Sequence, residues 1–244
     1  MQNGHQSTDT INIYSIFRSI NGEVCRPGQG SWATFIRFAG CNLGCNLGCN
    51  YCDTTYAQSF ESGTEMTIDE IVNRSDQLKC NNVTITGGEP LAQRNGLFRL
   101  LSGLRFKNIS IETNGSFPII DHFPTDRISW VVDYKLPSSG ANQYMSNIKP
   151  WVQLTKNDYI KFVIDTSNRI DYDIALSKVN QFWSEGVKAQ MVFSPIISIP
   201  LDRDCFGDVK DAPNTLYKWM QENQLFQVLL NVQLHKLISL QEPD

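Results

Sequence analysis

The chain has 244 residues, of which 41% are apolar and 19% charged, and its formal net charge is −4. That length supports one sizeable core and suits a single α/β domain over residues 1–244. With no basic excess to meet a phosphate backbone and no apolar run near the roughly 20 residues that span a bilayer, neither nucleic acid nor a membrane is an expected partner.

The first ten residues, MQNGHQSTDT, form a polar leader without the basic-then-apolar order of a signal peptide, so a cytoplasmic location is expected. Trp32–Ala39 (WATFIRFA) is apolar and β-rich, and reads as a strand running into a cysteine-rich loop. Four of the seven cysteines lie in that loop, at 41, 45, 49 and 52. In a compartment that keeps thiols reduced, an odd and clustered set points to a metal or reactive site, not to disulfides. Cys25, Cys80 and Cys205 stand apart and read as ordinary thiols. Thr67–Lys79 opens with Thr-x-x-Glu, a capping-box pattern, and has helical spacing. Val83–Thr86 is a short strand stopped by Gly87-Gly88; Leu97–Leu104 reads as a helix and Ile109–Glu112 as a strand. Strands follow at Trp130–Tyr134 and Tyr159–Ile164, then a helix over 170–186 closed by glycine and a strand over 188–193. A short helix over 216–224 and a last strand over 228–234 complete the chain.

Strands that alternate with helices indicate a parallel sheet covered by helices. The unusual polar segments all follow strands, as they do at the carboxyl edge of barrel-type sheets. About six or seven strands, with too few long helices for eight units, predict an incomplete TIM-like barrel.

Cys45-x-x-x-Cys49-x-x-Cys52 offers three thiolates on a short loop. Structural zinc takes four ligands, usually as two separated pairs. Three cysteines on a cubane iron–sulfur cluster leave one iron open to another ligand. Asn and Gly between the cysteines suit a tightly wrapped loop, because both tolerate positive φ. The alternative is a four-cysteine metal or electron-transfer module that includes Cys41.

The CxxxCxxC spacing after the first strand, with Tyr51 before the last cysteine, resembles the radical S-adenosylmethionine (SAM) enzymes. In these the open iron chelates SAM, and an electron from the cluster releases a 5′-deoxyadenosyl radical. Thr86-Gly87-Gly88-Glu89-Pro90 resembles their GGE turn, whose backbone binds the SAM amino group. A run of segments in order further resembles the 7-carboxy-7-deazaguanine synthases: IFRSINGEV, FIRFAGCNL, CDTTYA, VTITGGEP, IETNG, DYKLPSSG, FSPI and NVQLHKLI. Asn21 stands where that family usually has glutamine, and Asp133-Tyr134 where some members have Ser-Pro.

The resemblance implies a lyase of 7-deazapurine (queuosine-type) biosynthesis. Hydrogen would be taken from C6 of 6-carboxy-5,6,7,8-tetrahydropterin, the ring would contract, and ammonia would leave to give 7-carboxy-7-deazaguanine. It implies substrate contacts from Ile20, Asn21, Gly22, Glu23, Arg37 and Thr86, with Arg37 pairing with the substrate carboxylate. Tyr51, Cys52, Asp53, Gly88, Asp133, Tyr134, Lys135 and Ser194 would lie against SAM, and Thr54 would ligate Mg²⁺. His235 is left only a substrate-side position. A 4Fe–4S cluster, SAM and Mg²⁺ are the implied cofactors, an external donor such as flavodoxin or ferredoxin the electron source, and a homodimer the expected assembly. A glycyl-radical-enzyme activase shares the cysteine triad, but Asp53-Thr54 and the segments DYKLPSSG and QLHK favour the synthase. The tandem Cys-Asn-Leu-Gly over 41–48 inserts four residues, so Cys45 or Cys41 is the first cluster ligand; the short spacing favours Cys45.

Overall fold

The computed structural model describes residues 10–43, 49–119, 126–145, 149–197 and 211–238; Cys45, the polar leader before residue 10 and the tail after residue 238 lie outside them. Nine strands form one sheet in the order β3-β1-β2-β4-β5-β6-β7-β8-β9. The strands are β1 (Thr10–Ile20), β2 (Trp32–Phe38), β3 (Thr64–Thr67), β4 (Asn82–Gly87), β5 (Asn108–Thr113), β6 (Ile128–Tyr134), β7 (Tyr159–Ile164), β8 (Gln190–Pro195) and β9 (Leu229–Leu230). From β2 to β9 every pairing is parallel, while β1 runs antiparallel to both β2 and β3. Four helices of ten or more residues pack on the sheet: α1 (Ile68–Gln77), α2 (Arg94–Gly103), α3 (Ile170–Ser184) and α4 (Asp211–Glu222); a single turn, α5 (Leu234–Leu237), ends the described chain. The arrangement is a partial TIM-like barrel, as the alternation of strands and helices predicts.

Period-two alternation sorts the strand side chains onto two faces. Ile36, Ile85, Ile111, Val132, Ile160 and Phe193 join an apolar cluster with Ile71 of α1, Leu97 and Leu100 of α2, Phe182 of α3 and Leu216 of α4. Thr84, Thr86, Ser110, Glu112, Asp133 and Lys161 occupy the alternate positions, on the inner face. The helices thus stand on an apolar face, and the concave lumen is polar.

Two differences from the sequence reading have physical causes. The start of IFRSINGEV is not loop: Ile16–Ile20 belongs to β1, and a register shift between Ile13 and Ser15 breaks the alternation that would have marked the strand. Only Asn21 onward is loop. The expected strand over 228–234 pairs only at Leu229–Leu230, since Asn231 then turns inward and Leu234 N donates to Gly22 O at 2.8 Å. The capping box at Thr67–Glu70 forms as expected, with the Thr67 side chain accepting from Glu70 N and the Glu70 carboxylate from Thr67 N.

Asp158 fixes the entry of β7 beside β6. Its Oδ1 accepts from Trp130 N at 2.8 Å and its Oδ2 from Thr155 N and Oγ1 at 2.7 and 2.8 Å. Asp158→Ala leaves these donors without their acceptor and should cost about 2–4 kcal/mol, read as a lowered midpoint in urea unfolding.

Candidate active site

The cysteine loop starts from a pinned strand end. Gly40 N donates to Ala57 O, Cys41 N to Gln58 O, and Gln93 Nε2 to Ala39 O. From β4, Gly88 N donates to Phe38 O and Glu89 N to Gly40 O. The two strand ends approach so closely that a Cβ on Gly87 would lie 2.1 Å from Phe38 O, and one on Gly88 2.1 Å from Gly40 O. Gly87 also has φ +133°. The paired glycines therefore have a packing reason of their own.

Glu89 locks the next strand end into the same frame. Oε1 accepts from Leu91 N and Thr113 Oγ1, and Oε2 from Asn114 N at 2.7 Å. Burial outweighs these donors and pushes its carboxyl up to about 7.

Cys41, Cys49 and Cys52 are half-buried free thiols, and burial pushes Cys41 and Cys49 up. Gln58 Nε2 donates to Cys52 Sγ at 3.4 Å, and Asn114 Nδ2 to Cys41 Sγ at 3.8 Å. Soft donors with amide hydrogen bonds to sulfur fit an iron–sulfur cluster. Among the described residues no three His, Cys, Asp or Glu are grouped to hold a metal ion, but Cys45 is not one of those residues. Beside Cys52, the Tyr51 hydroxyl is buried with no hydrogen-bond partner among the described residues, and Lys135 Nζ lies 5.9 Å from its ring centroid. That orphaned donor is free for a ligand in the same cleft.

The inner face carries a run of charges. Lys161 Nζ contacts Glu23 Oε2 and lies 3.2 Å from Asp133 Oδ1, and Lys135 Nζ lies 2.7 Å from Asp133 Oδ2. Burial opposes each charge, but the partners outweigh it: Asp133 is held below the usual carboxylate range, and both lysines above theirs. Thr86 Oγ1 donates to Glu112 Oε2 at 2.7 Å, and burial followed by the charge of Glu23 pushes Glu112 up. Across the sheet on β2, Arg37 Nη1 reaches Thr54 Oγ1 at 3.5 Å, with its guanidinium carbon 5.9 and 5.7 Å from the ring centroids of Phe17 and Tyr56.

The C-terminal segment closes the mouth. A Cβ on Gly22 would lie 2.1 Å from His235 Nδ1. Asp53 Oδ2 lies 3.5 Å from Lys236 Nζ and 3.9 Å from His235 Nε2, and Thr54 Oγ1 donates to Asp53 Oδ1 at 3.0 Å. Burial raises the Asp53 carboxyl, but His235, Lys236 and Thr54 together hold it well below the usual range. Ser194 Oγ accepts from Asn231 Nδ2 at 3.1 Å.

Most of the expected site residues therefore gather around one lumen. Ile20 ends β1 half-buried, opposite Trp32. The Asn21 side chain is engaged within the protein, its Oδ1 accepting from Thr84 Oγ1 at 2.6 Å and its Nδ2 donating to Ser31 Oγ at 2.9 Å, so it fastens the loop to β4. The Tyr134 ring faces the other way, among Trp151, Phe162 and Phe182, which leaves only its main chain on the lumen side. The sequence reading passed over Lys161, Gln233 and Gln58. Lys161 had a signal: it is a lone charge inside the otherwise apolar run YIKFVI.

A model of the radical SAM superfamily matches residues 41–126. A 7-carboxy-7-deazaguanine synthase of Clostridium acetobutylicum is 38% identical over 229 residues, covering 91% of this chain and 93% of the relative. The enzyme of the same name from Chlorobaculum tepidum is 37% identical over 231 residues, covering 93% and 94%. The chain belongs to the 7-carboxy-7-deazaguanine synthase family. It is a radical SAM enzyme, and a 4Fe–4S cluster and SAM come with that membership. The crystal structure of QueE from Escherichia coli shares the fold, with a TM-score of 0.61 at 20% identity over 92% of this chain and 94% of that one. This synthase scaffold holds its cysteine loop through the glycine pair and Glu89.

Because the folded state holds the Glu89 proton above the ordinary 4.5, its contribution to stability is full below about 4.5 and is lost as the pH rises through about 7. Urea midpoints measured from pH 4.5 to 8 should carry a falling component in that window. Glu89→Gln, which has no proton to lose, should remove it.

Proposed function

We propose that the protein converts 6-carboxy-5,6,7,8-tetrahydropterin to 7-carboxy-7-deazaguanine with loss of ammonia, as a cytoplasmic enzyme of 7-deazapurine biosynthesis. The observation that carries this reading is the polarity of the lumen. Arg37 stands on β2 and the tethered Glu23 beside β7, with three strands between them in the sheet. A carboxypterin has the opposite polarity: an anionic group at one end, and amino and ring N–H donors at the other.

In this reading Cys49 and Cys52, with Cys45 or Cys41, hold a 4Fe–4S cluster whose open iron takes SAM. When bound, this pair supplies the reducing electron and the 5′-deoxyadenosyl radical that removes hydrogen from substrate C6. The remaining work is done by side chains of the chain. Arg37 offers a planar fork to the substrate carboxylate. Thr54 would supply a hard hydroxyl oxygen suited to Mg²⁺. Glu23 accepts from the pterin donors, and Thr86 with Glu112 lines the lumen between the two ends. Asn21 and Gly22 place the loop, Gly22 leaving room for His235. Tyr51, Asp53, Gly88, Asp133, Lys135 and Ser194, with the main chain at Tyr134, form the SAM side. The buried Phe17 ring beside Arg37 limits water at the carboxylate end. The homodimer and a flavodoxin- or ferredoxin-type donor are carried over from the family with this reading.

After anaerobic reconstitution, adding SAM should change the EPR spectrum of the reduced cluster, and substrate should turn over to the deazaguanine with release of ammonia. A spectrum indifferent to SAM would defeat the proposal. Cys45→Ala should abolish the cluster signal and Cys41→Ala retain it. Arg37→Ala should lower kcat/KM by about 10- to 100-fold, mainly through KM.

A further inference from the structure

Glu23, Lys161, Asp133 and Lys135 form one unbroken series of ion pairs inside the barrel. Asp133 and Lys161 are register partners on the neighbouring parallel strands β6 and β7, so their side chains share the inner face. Lys161 is 7% exposed and reaches Glu23 and Asp133 with its single ammonium group. Gln233 Nε2 donates to the other Glu23 oxygen, Oε1, at 2.5 Å. Each oxygen of the Glu23 carboxylate is thereby fixed by a different part of the fold, which sets the plane of the group as well as its position. Two carboxylates meet two ammoniums in this series. Asp133 is the position that departs from the Ser-Pro of some members, and its charge is what lets a buried Lys161 stay ionised beside Lys135.

We infer that Lys161 is a positioning residue of the reaction, which together with Gln233 orients the Glu23 carboxylate toward the pterin ring donors, with Asp133 as its counter-charge. This rests on the functional reading above. Lys161 does not need to touch substrate. Its effect passes through Glu23, whose remaining lone pairs are presented in a fixed plane. The acceptors of a free carboxylate would be spread over many rotamers, and ordering them would be charged against binding.

The test is calorimetric titration of the reconstituted enzyme with 6-carboxy-5,6,7,8-tetrahydropterin in the presence of SAM and without reductant, so that binding is read without turnover. Lys161→Met should weaken pterin binding by about 10- to 100-fold. It also leaves Glu23 and Asp133 facing each other without the cation between them, which endangers the fold. Gln233→Leu removes the other tether without touching the ion pairs. This variant should keep the wild-type melting temperature and the EPR response to SAM while losing about 10-fold or more in pterin affinity, and under reductant the loss should fall on KM more than on kcat. A merely structural role would move melting and SAM response together with pterin binding, and that result would overturn the inference. So would wild-type pterin affinity in Lys161→Met or in Gln233→Leu. If the wild-type enzyme itself binds no pterin, the functional reading falls, and this inference with it.

Discussion

Lys161 and Asp133 lie side by side on β7 and β6, inside a sheet whose outer face packs an apolar cluster against the helices, and each is held ionised by close partners: Asp133 and Glu23 for the one, Lys135 and Lys161 for the other. Removing an ion from water costs several kcal/mol even after relaxation, and only close partners repay it. The lumen answers that constraint with a series of alternating charges that ends at Glu23 on one side and at Lys135, beside Tyr51, on the other. A polar lumen would otherwise fill with water or collapse. Here its charged groups already satisfy one another.

The cysteine loop depends on a different kind of support. Its first strand end is tied by main-chain hydrogen bonds to β4 and to the segment 57–58, and the glycine pair lets those backbones meet. Glu89 then joins that end to β5 through Thr113 and Asn114, and Asn114 in turn reaches Cys41. The position of the loop's start comes from a frame of three strand ends.

The sequence revealed the sheet and the site motifs more readily than it revealed what holds them. The strand Tyr159–Ile164 and the capping box at Thr67 were legible because local chemistry decides them: an apolar β-branched and aromatic run in one case, a pair of reciprocal hydrogen bonds in the other. The strand Thr10–Ile20 was hidden by its bulge, which shifts the buried positions out of period. The end of the chain was misread because Val228–Leu234 has strand composition, while its hydrogen bonds go to Gly22 and Gln29 of a loop some 200 residues earlier, which no local pattern contains. Arg37, Thr54 and the cysteines were found by motif. Lys161 and Gln233 were not, since their meaning lies in a partner far away in sequence. Yet a single charge at an alternate position of an otherwise apolar strand, as in ISIET, WVVDY and YIKFVI, is a physical signal of a polar inner face, and all three strands carry one.

The tethers of Glu23 have a consequence for how the molecule matures. Lys161 lies 138 residues after Glu23 and Gln233 lies 210 residues after it. Contacts of such separation are slow to form, because the loop between them must be closed before they repay its entropy. During synthesis the carboxylate leaves the ribosome long before either group that orients it. The cysteine loop, by contrast, finds its frame in Phe38, Ala57 and Gly88, all within about 50 residues of Cys41. The cysteine-loop end of the cavity thus assembles early and locally, and the Glu23 end only when the segment around Gln233 docks, so an oriented Glu23 carboxylate is itself a mark of a finished chain.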